Sequence, residues 1–338
     1  MYYKSIFQGR LDYANQRAYD QVKDLFTNRI GNYYRNEAHF KPEDLFNDEM
    51  LQVIIPRTVV QLSEKYWKNT VNLFKLCADY AIAGYVGAWM VQDGNIMHYA
   101  LVQPTGDKVV VKEYKKAVAL IGEDGREQEA IDSLNKAISK FDKHSAAYER
   151  RGVVNMKLQH YEDARYDFDK SIRLDENNAF AYFERGNLNA LQKDWKAASQ
   201  DYGMAIKKSL ALQVIHWKAR FRKGKAHLEL KEYDKAGFEF KLFTIRKFKE
   251  NNINYLDFNQ GLLYYAESLI GQKKYDDALL TLQKVQPDIR NRNFSKGDWY
   301  FLQGVAKFKA GKKGFAKHWK DAVKEGHELA SKWLSEHG

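Results

Sequence analysis

Residues 145–178 read SAAYERRGVVNMKLQHYEDARYDFDKSIRLDENN, and residues 179–212 read AFAYFERGNLNALQKDWKAASQDYGMAIKKSLAL. When these two stretches and residues 111–144 are aligned with a shift of 34 residues, similar residue types fall at the same positions. Small residues in such a pattern let two helices of a hairpin touch, and large ones fill the gaps to the next hairpin. The pattern therefore predicts stacked helix hairpins. The shared columns are Tyr114, Tyr148 and Tyr182; Gly152 and Gly186; Ala130, Ala164 and Ala198; Leu134, Phe168 and Tyr202; and Ala137, Ser171 and Ala205.

The pattern continues beyond residue 212 with irregular spacers. The segments 251–254 and 287–296, rich in Asn and charged residues, are predicted to be loops between units. The further units are 217–250, marked by Gly224, Ala236 and Phe240; 259–292, marked by Ala266, Ala278 and Leu282; and 297–330, marked by Gly304, Ala316 and Val323.

The 34-residue period and the order of its columns resemble the tetratricopeptide repeat (TPR) family. This resemblance implies an all-α solenoid of about six helix hairpins over residues 111–338. The ending, with Ala330, Trp333 and Leu334, is similar to the related Sel1-type hairpins. Because a terminal repeat must present one polar face to water, we expect a capping helix there.

Residues 1–110 lack the repeat pattern. Three helices are predicted there. Residues 11–35 carry apolar side chains at helical spacing, and residues 41–46 have a proline near the start of a helix. A third helix begins after the capping residue Ser63 and runs to about Ala83. A hairpin around Asp93-Gly94 is a weaker prediction. We expect a mostly helical region that caps the first face of the repeats, and a separate domain is the alternative.

The bulk properties indicate a folded protein with a basic repeat region. The net charge is +11, whereas residues 1–110 hold 12 basic and 12 acidic residues. Residues 205–250 hold 13 basic and 5 acidic residues, which favours an acidic partner surface. The start, MYYKSIFQGR, lacks the apolar core of a secretory signal, and Cys77 has no second cysteine to pair with. We therefore expect a cytoplasmic protein and a buried Cys77.

Catalytic and metal-binding motifs are absent from the sequence. It contains no phosphate loop, HExxH, CxxC or nucleophile elbow, and its histidines do not pair at metal-ligand spacing. We expect no enzymatic activity, cofactor or metal. An activity within residues 1–110, with the repeats recruiting its substrate, stays open as an alternative.

The TPR resemblance also implies a binding groove. In that family the first helix of each unit lines a concave groove through its second, fifth, ninth and twelfth positions. The structural alternative is that its phenylalanines pack against neighbouring helices. The resemblance implies a groove lined by Glu149, Val153 and Met156; by Phe180, Phe183, Asn187 and Ala190; by Lys218, Phe221, Lys225 and Leu228; and by Phe301, Val305 and Phe308.

Some TPR proteins clamp the C-terminal carboxylate of chaperones with Lys or Asn, Asn, and Lys or Arg across three units. Asn187 and Lys225 match two of these positions, but Glu149, Phe183 and Phe221 stand where others would be. A chaperone-tail receptor is therefore not expected.

Two functions follow from these observations. The first is a protein-interaction scaffold or adaptor whose groove binds an extended or helical segment with acidic and apolar side chains. The second is association with RNA or a ribonucleoprotein such as the ribosome, based on the basic charge and the 22 tyrosines. No RNA-binding motif supports the second.

Overall fold

The computed structural model describes residues 1–35, 37–106, 108–286 and 294–338. The chain divides into two compact units, Met1–Asn178 and Ala179–Gly338. Each unit is described by itself. The predicted loop 287–296 and the end of the predicted unit 259–292 lie partly outside the described residues. The division of the chain at residue 110 stays a prediction.

The first unit begins with an antiparallel five-stranded sheet in the order β2-β3-β1-β4-β5. The helices of this region are α1, α2 and α3, and a π-helical turn follows α1. The strands are β1 (Tyr3–Asp12), β2 (Phe46–Asn47), β3 (Gln52–Leu62), β4 (Ala83–Gln92) and β5 (Asn95–Val102), and the helices are α1 (Gln16–Asn28), α2 (Pro42–Leu45) and α3 (Glu64–Tyr80), with the π-helical turn at Arg29–Tyr33.

The expectation of a mostly helical N-terminal region is wrong, because a five-stranded sheet forms there, in which β1 and β3 pair although residues 13–51 lie between them. The β-branched run in β3, Val53-Ile54-Ile55 followed by Val59-Val60, is the local signal for a strand. By contrast, the predicted hairpin is confirmed, since Gln92 pairs with Asn95 around Asp93-Gly94.

Aromatic side chains fill the core between the sheet and its helices. Phe7 of β1 meets Phe74 of α3 at 6.0 Å between ring centroids, and Phe26 of α1 meets Phe46 at 5.4 Å. As predicted, Cys77 is fully buried, and burial raises the pKa of its thiol to about 12. This core holds α1 and α3 on one face of the sheet.

Four repeat helices complete the first unit. Ser145–Lys157 and Tyr161–Leu174 form the pair that contains the first quoted stretch. The sheet packs against these helices, since Arg10 Nη1 donates to the Leu174 carbonyl at 2.7 Å. The helices are α4 (Val109–Leu120), α5 (Glu127–Lys140), α6 (Ser145–Lys157) and α7 (Tyr161–Leu174).

The second unit is helical throughout its described residues. A short 3-10 helix, Ile253–Asp257, precedes α12. The helices are α8 (Ala179–Leu191), α9 (Trp195–Lys208), α10 (Val214–Glu229), α11 (Tyr233–Ile245), α12 (Phe258–Gly271), α13 (Tyr275–Leu282), α14 (Lys296–Lys309), α15 (Phe315–Lys324) and α16 (Glu328–His337).

The sequence columns are packing contacts inside these hairpins. A Cβ atom added to Gly152 would lie 2.7 Å from the Phe168 ring, and one added to Gly186 would lie 2.8 Å from the Tyr202 ring. Ala164 is fully buried in the same hairpin as Gly152. The predicted all-α repeat fold is thereby confirmed for the part of the chain that carries the columns. No helix of the described chain has the length and apolar character needed to cross a membrane.

Candidate functional site

A groove of about 620 Å³ opens in the second unit between α8, α10, the 3-10 helix, α12 and the start of α14. Residues from five segments of the chain line it, so it exists only in the folded repeats. The lining side chains are Phe183 and Asn187; Lys218, Phe221, Arg222 and Lys225; Ile253, Leu256 and Asp257; Gln260 and Tyr264; and Asp298.

One side of the groove carries positive charge. Lys218, Arg222 and Lys225 follow one another along α10 at steps of four and three residues, which return to the same side of a helix. None of the three makes an ion pair with a described residue. Two other cations of α10, Arg220 and Lys223, both pair with Glu239, which is 4% exposed. The cations of α10 are therefore divided into a pair that shares the Glu239 carboxylate and a set that faces the groove.

The other side of the groove is polar and acidic. Asp257 ends the 3-10 helix, Gln260 lies in the first turn of α12, and Asp298 lies in the first turn of α14. An Asp298 carboxylate oxygen lies 3.4 Å from His327 Nε2. The groove is thus lined by both cations and carboxylates rather than by charges of one sign.

Aromatic rings form the floor. Phe221 is 9% exposed and contacts the rings of Phe240, Phe243 and Tyr264 at centroid distances of 5.8, 5.2 and 5.7 Å. Its ring is therefore mainly a core side chain with one edge at the groove. Phe183 is also buried and packs against Tyr202.

Asn187 is held in place by two hydrogen bonds. The Tyr202 hydroxyl donates to its Oδ1 at 2.8 Å, and its Nδ2 donates to Glu184 Oε2 at 2.9 Å. Burial raises the pKa of Tyr202, so this hydroxyl stays protonated and remains a donor. The amide is consequently oriented before any ligand arrives.

Outside this unit, a sequence model of the tetratricopeptide repeat matches residues 145–178, the first stretch quoted above. Residues 145–178 therefore carry the sequence of a tetratricopeptide repeat. The Sel1-like character of its last hairpin stays a prediction.

Two solved structures share the TPR fold with this chain. YrrB, a TPR protein described as having an unusual peptide-binding site, is 16% identical with a TM-score of 0.51; the match covers 60% of this chain and 97% of YrrB. PilF of Pseudomonas aeruginosa is 15% identical with a TM-score of 0.54; the match covers 69% of this chain and 99% of PilF. At these identities the likeness concerns the fold alone.

The structure brings five of the residues named from the TPR resemblance to this groove. A sixth, Leu228, packs instead against the cluster around Phe221 and Phe243. Phe180 lies on α8 and is partly buried, and it does not line the groove. The five are Phe183, Asn187, Lys218, Phe221 and Lys225.

Four further residues named in the same way lie elsewhere. Val153 and Met156 lie on α6 in the first unit, where both are partly buried. The Phe301 ring stacks on His327 at 4.2 Å, and the Phe308 ring packs against Trp319 at 5.6 Å. These two phenylalanines therefore take part in packing against the last two helices.

Sequence reasoning missed several groove residues. Ile253 and Leu256 lie in or beside the segment predicted to be a loop, and the TPR position rule does not apply there. Arg222 falls between the positions of that rule. Gln260 is the second position of the unit 259–292, so the same rule, applied to that unit, would have found it.

The structure also bears on metal binding. They contain no cluster of three or more His, Cys, Asp or Glu side chains that could hold a metal ion. The groove itself is lined by cations, carboxylates, amides and aromatic rings. TPR proteins are generally interaction modules without catalytic activity.

Proposed function

We propose that this protein is a non-enzymatic interaction scaffold or adaptor, and that its groove binds an acidic, partly apolar segment of a partner protein. The observation that carries the proposal is the set of three cations on α10, Lys218, Arg222 and Lys225, which face the groove without a carboxylate partner among the described residues. A ligand carboxylate would supply that partner, and such charge-assisted hydrogen bonds are the stronger kind.

The apolar part of the ligand follows from the 3-10 helix. Ile253 is 49% exposed at the groove, and Leu256 lies beside it. These side chains are accessible, whereas the Phe221 ring is already packed. We infer that apolar ligand side chains contact Ile253 and Leu256 above an aromatic floor.

The two-sided charge favours a polypeptide over a nucleic acid. A phosphate backbone repeats the same negative charge at every step and gains from a uniformly basic track. This groove is lined by Asp257 and Asp298 as well as by the cations of α10. A peptide, whose side chains change along its length, suits such a surface better. The described peptide-binding site of YrrB shows that a protein of this fold accommodates peptides.

Peptide selection by phage display on the immobilised full chain tests the proposal. Recovered sequences should combine Asp or Glu with Phe, Leu or Ile. The tightest peptide, labelled, is then titrated against Lys218→Glu with Lys225→Glu, which should weaken binding about tenfold or more. The matched control is Lys241→Glu with Lys247→Glu, an equal charge change at exposed positions outside the groove.

Equal affinity of both double variants for the selected peptide would overturn the groove as its site. Labelled single-stranded RNA of mixed sequence provides the second arm. Tight RNA binding that falls roughly tenfold or more between low and physiological salt, together with no peptide enrichment, would favour the nucleic-acid function instead.

A further inference from the structure

The two edges of the N-terminal sheet are built differently. Strand β3 forms one edge, partly covered by the short β2, and carries Pro56 and Arg57 in its middle. Proline removes a backbone donor, and a charged side chain resists burial, so both discourage pairing with another strand. That edge is protected.

Strand β5, at the opposite edge, has no such protection. Its sequence, Asn95 to Val102, reads NIMHYALV and contains no proline and no Lys, Arg, Asp or Glu. No described strand pairs with its outer side. Since alternate residues of a strand direct their backbone groups to opposite neighbours, half of these groups lack a strand partner. The exposed apolar side chains are Ile96, Met97, Tyr99 and Leu101, which are 45–53% exposed.

The two faces of β5 differ as well. His98 faces α3, where its ring lies 5.6 Å from Trp67. Tyr99 lies on the other face, 5.5 Å from the Trp89 ring of β4. Leu101, opposite Gly87, shares that face with Tyr99. Tyr99 and Leu101 therefore present exposed apolar groups beside the open edge, on the face that lacks α3.

We propose that β5 pairs antiparallel with β5 of a second copy of this chain, so that the two sheets continue into one. The partner strand is β5 of a second copy, because β5 is uncharged and apolar along its length and can therefore pair with itself without bringing like charges together. The charge distribution agrees, since residues 1–110 are balanced with 12 basic and 12 acidic residues. Two copies meeting there avoid the repulsion that the basic remainder of the chain would cause.

The side chains favour one register. A two-fold axis perpendicular to the sheet keeps α3 of both copies on one face. With Tyr99 on that axis, the two Tyr99 rings lie opposite each other, and Leu101 of each copy faces the irregular segment at Met97 of the other, where the β4–β5 register shifts. His98 then lies opposite Ala100 of the second copy, so the two His98 side chains do not face each other. Cross-strand aromatic and apolar pairs of this kind stabilise sheets.

Sedimentation velocity of the full chain over a range of concentrations tests the dimer. The wild type should approach twice the chain mass as concentration rises. Leu101→Lys replaces an apolar side chain at the proposed contact with a charged one, which resists burial against the second copy, and should raise the dimer dissociation constant about tenfold or more. Val59→Lys is the matched control, because Val59 is 53% exposed on the protected edge, and it should leave the dimer unchanged. Circular dichroism verifies that both variants fold.

Disulfide trapping tests the register independently. Directly opposed residues of antiparallel strands have Cα atoms about 4.5–5.5 Å apart, within disulfide range. Tyr99→Cys should therefore form a cross-linked dimer under mild oxidation, whereas Val59→Cys should not. Cys77 does not compete, because it is fully buried.

Three results would overturn the proposal. If the wild type stays monomeric at every concentration, β5 does not pair with a second copy, and its edge is open to a strand of another protein. A dimer unaffected by Leu101→Lys has a different interface. Aggregates of no defined mass would mean that β5 is merely an unprotected edge.

Discussion

Arg185 and Asp201 form a two-point ion pair between the two helices of one repeat. Arg185 Nη2 lies 2.6 Å from Asp201 Oδ1, and Nε lies 2.9 Å from Oδ2. The amide of Asn189 donates to the same Oδ2 at 2.9 Å. The first unit repeats this arrangement with Arg151 and Asp167, 34 residues earlier. Both carboxylates are largely buried, so their pairing is part of what holds α6 to α7 and α8 to α9.

Arg185→Ala should lower the free energy of unfolding by about 3 kcal/mol, because it leaves the Asp201 carboxylate buried without its cation. Urea denaturation followed by circular dichroism measures the loss. Arg185→Met combined with Asp201→Asn removes both charges and should recover a large part of the stability. If the single and double variants were equally unstable, packing rather than charge pairing would be the cause.

Ala164→Trp should force α6 and α7 apart, since Ala164 is fully buried. Overpacking of this kind costs about 1–3 kcal/mol or more, and in a repeat array the damage spreads to neighbouring units. Thermal unfolding and helical circular dichroism report the effect. Tyr166→Trp, at a position 56% exposed on the same helix, is the control and should behave like the wild type. An unchanged melting temperature for Ala164→Trp would contradict the packing register.

A protein that begins at Val111 should melt earlier than the full chain or self-associate. Val111 is 3% exposed in the intact chain, and Ile82 of the N-terminal region clusters with Val110 and Ala137. Removal of residues 1–110 would uncover this apolar surface and the Leu174 carbonyl that Arg10 contacts. Differential scanning calorimetry and light scattering provide the measurement. A monomer of equal stability would instead favour two independent domains.

The buried His144 should make stability depend on pH. Burial lowers the pKa of His144 to about 4, and the ring lies 4.7 Å from Tyr114 while its Nδ1 accepts from the Ala147 amide. Between about pH 6.5 and 4 the unfolded chain binds more protons at this residue, so stability falls as pH is lowered through that window. Its contribution to the loss is about 3 kcal/mol.

His144→Asn keeps a capping side chain but does not titrate, so the difference in unfolding free energy between variant and wild type should shrink or reverse towards pH 4. Chemical denaturation at several pH values measures it. His160→Asn, at an exposed position, is the control. A difference that is independent of pH would contradict a neutral buried imidazole.

Two apolar substitutions should separate ligand contact from core packing at the groove. Phe221→Ala should destabilise the protein by about 3–5 kcal/mol, because its ring packs against three others. Ile253→Ser should leave the melting temperature nearly unchanged, since Ile253 is 49% exposed, and should weaken binding of a selected peptide by about 1–3 kcal/mol. Anisotropy titration together with thermal unfolding distinguishes the two. Unaltered peptide affinity in Ile253→Ser would remove the 3-10 helix from the binding surface.

The sequence by itself determined the repeats. Phe168 meets Gly152 within one hairpin, so the spacing of these residues is set by local helix geometry and is visible as a period. The Asp93-Gly94 hairpin is local in the same sense. The Arg185–Asn189–Asp201 network also repeats at 34 residues with Arg151, Asn155 and Asp167, so the sequence carries a second, polar repeat signal beside the apolar columns.

Only the tertiary structure decided the N-terminal sheet and the composition of the groove. Strand β1 pairs with β3 and β4, which lie far along the chain, and such non-local pairing leaves no period in the sequence. The positions of Ile253 and Phe301 also depend on non-local contacts. Ile253 reaches the groove from a segment between repeat units, and the Phe301 ring stacks on His327. A residue's position in a repeat determines the side of the helix on which it lies, whereas the neighbouring elements determine whether that side is covered.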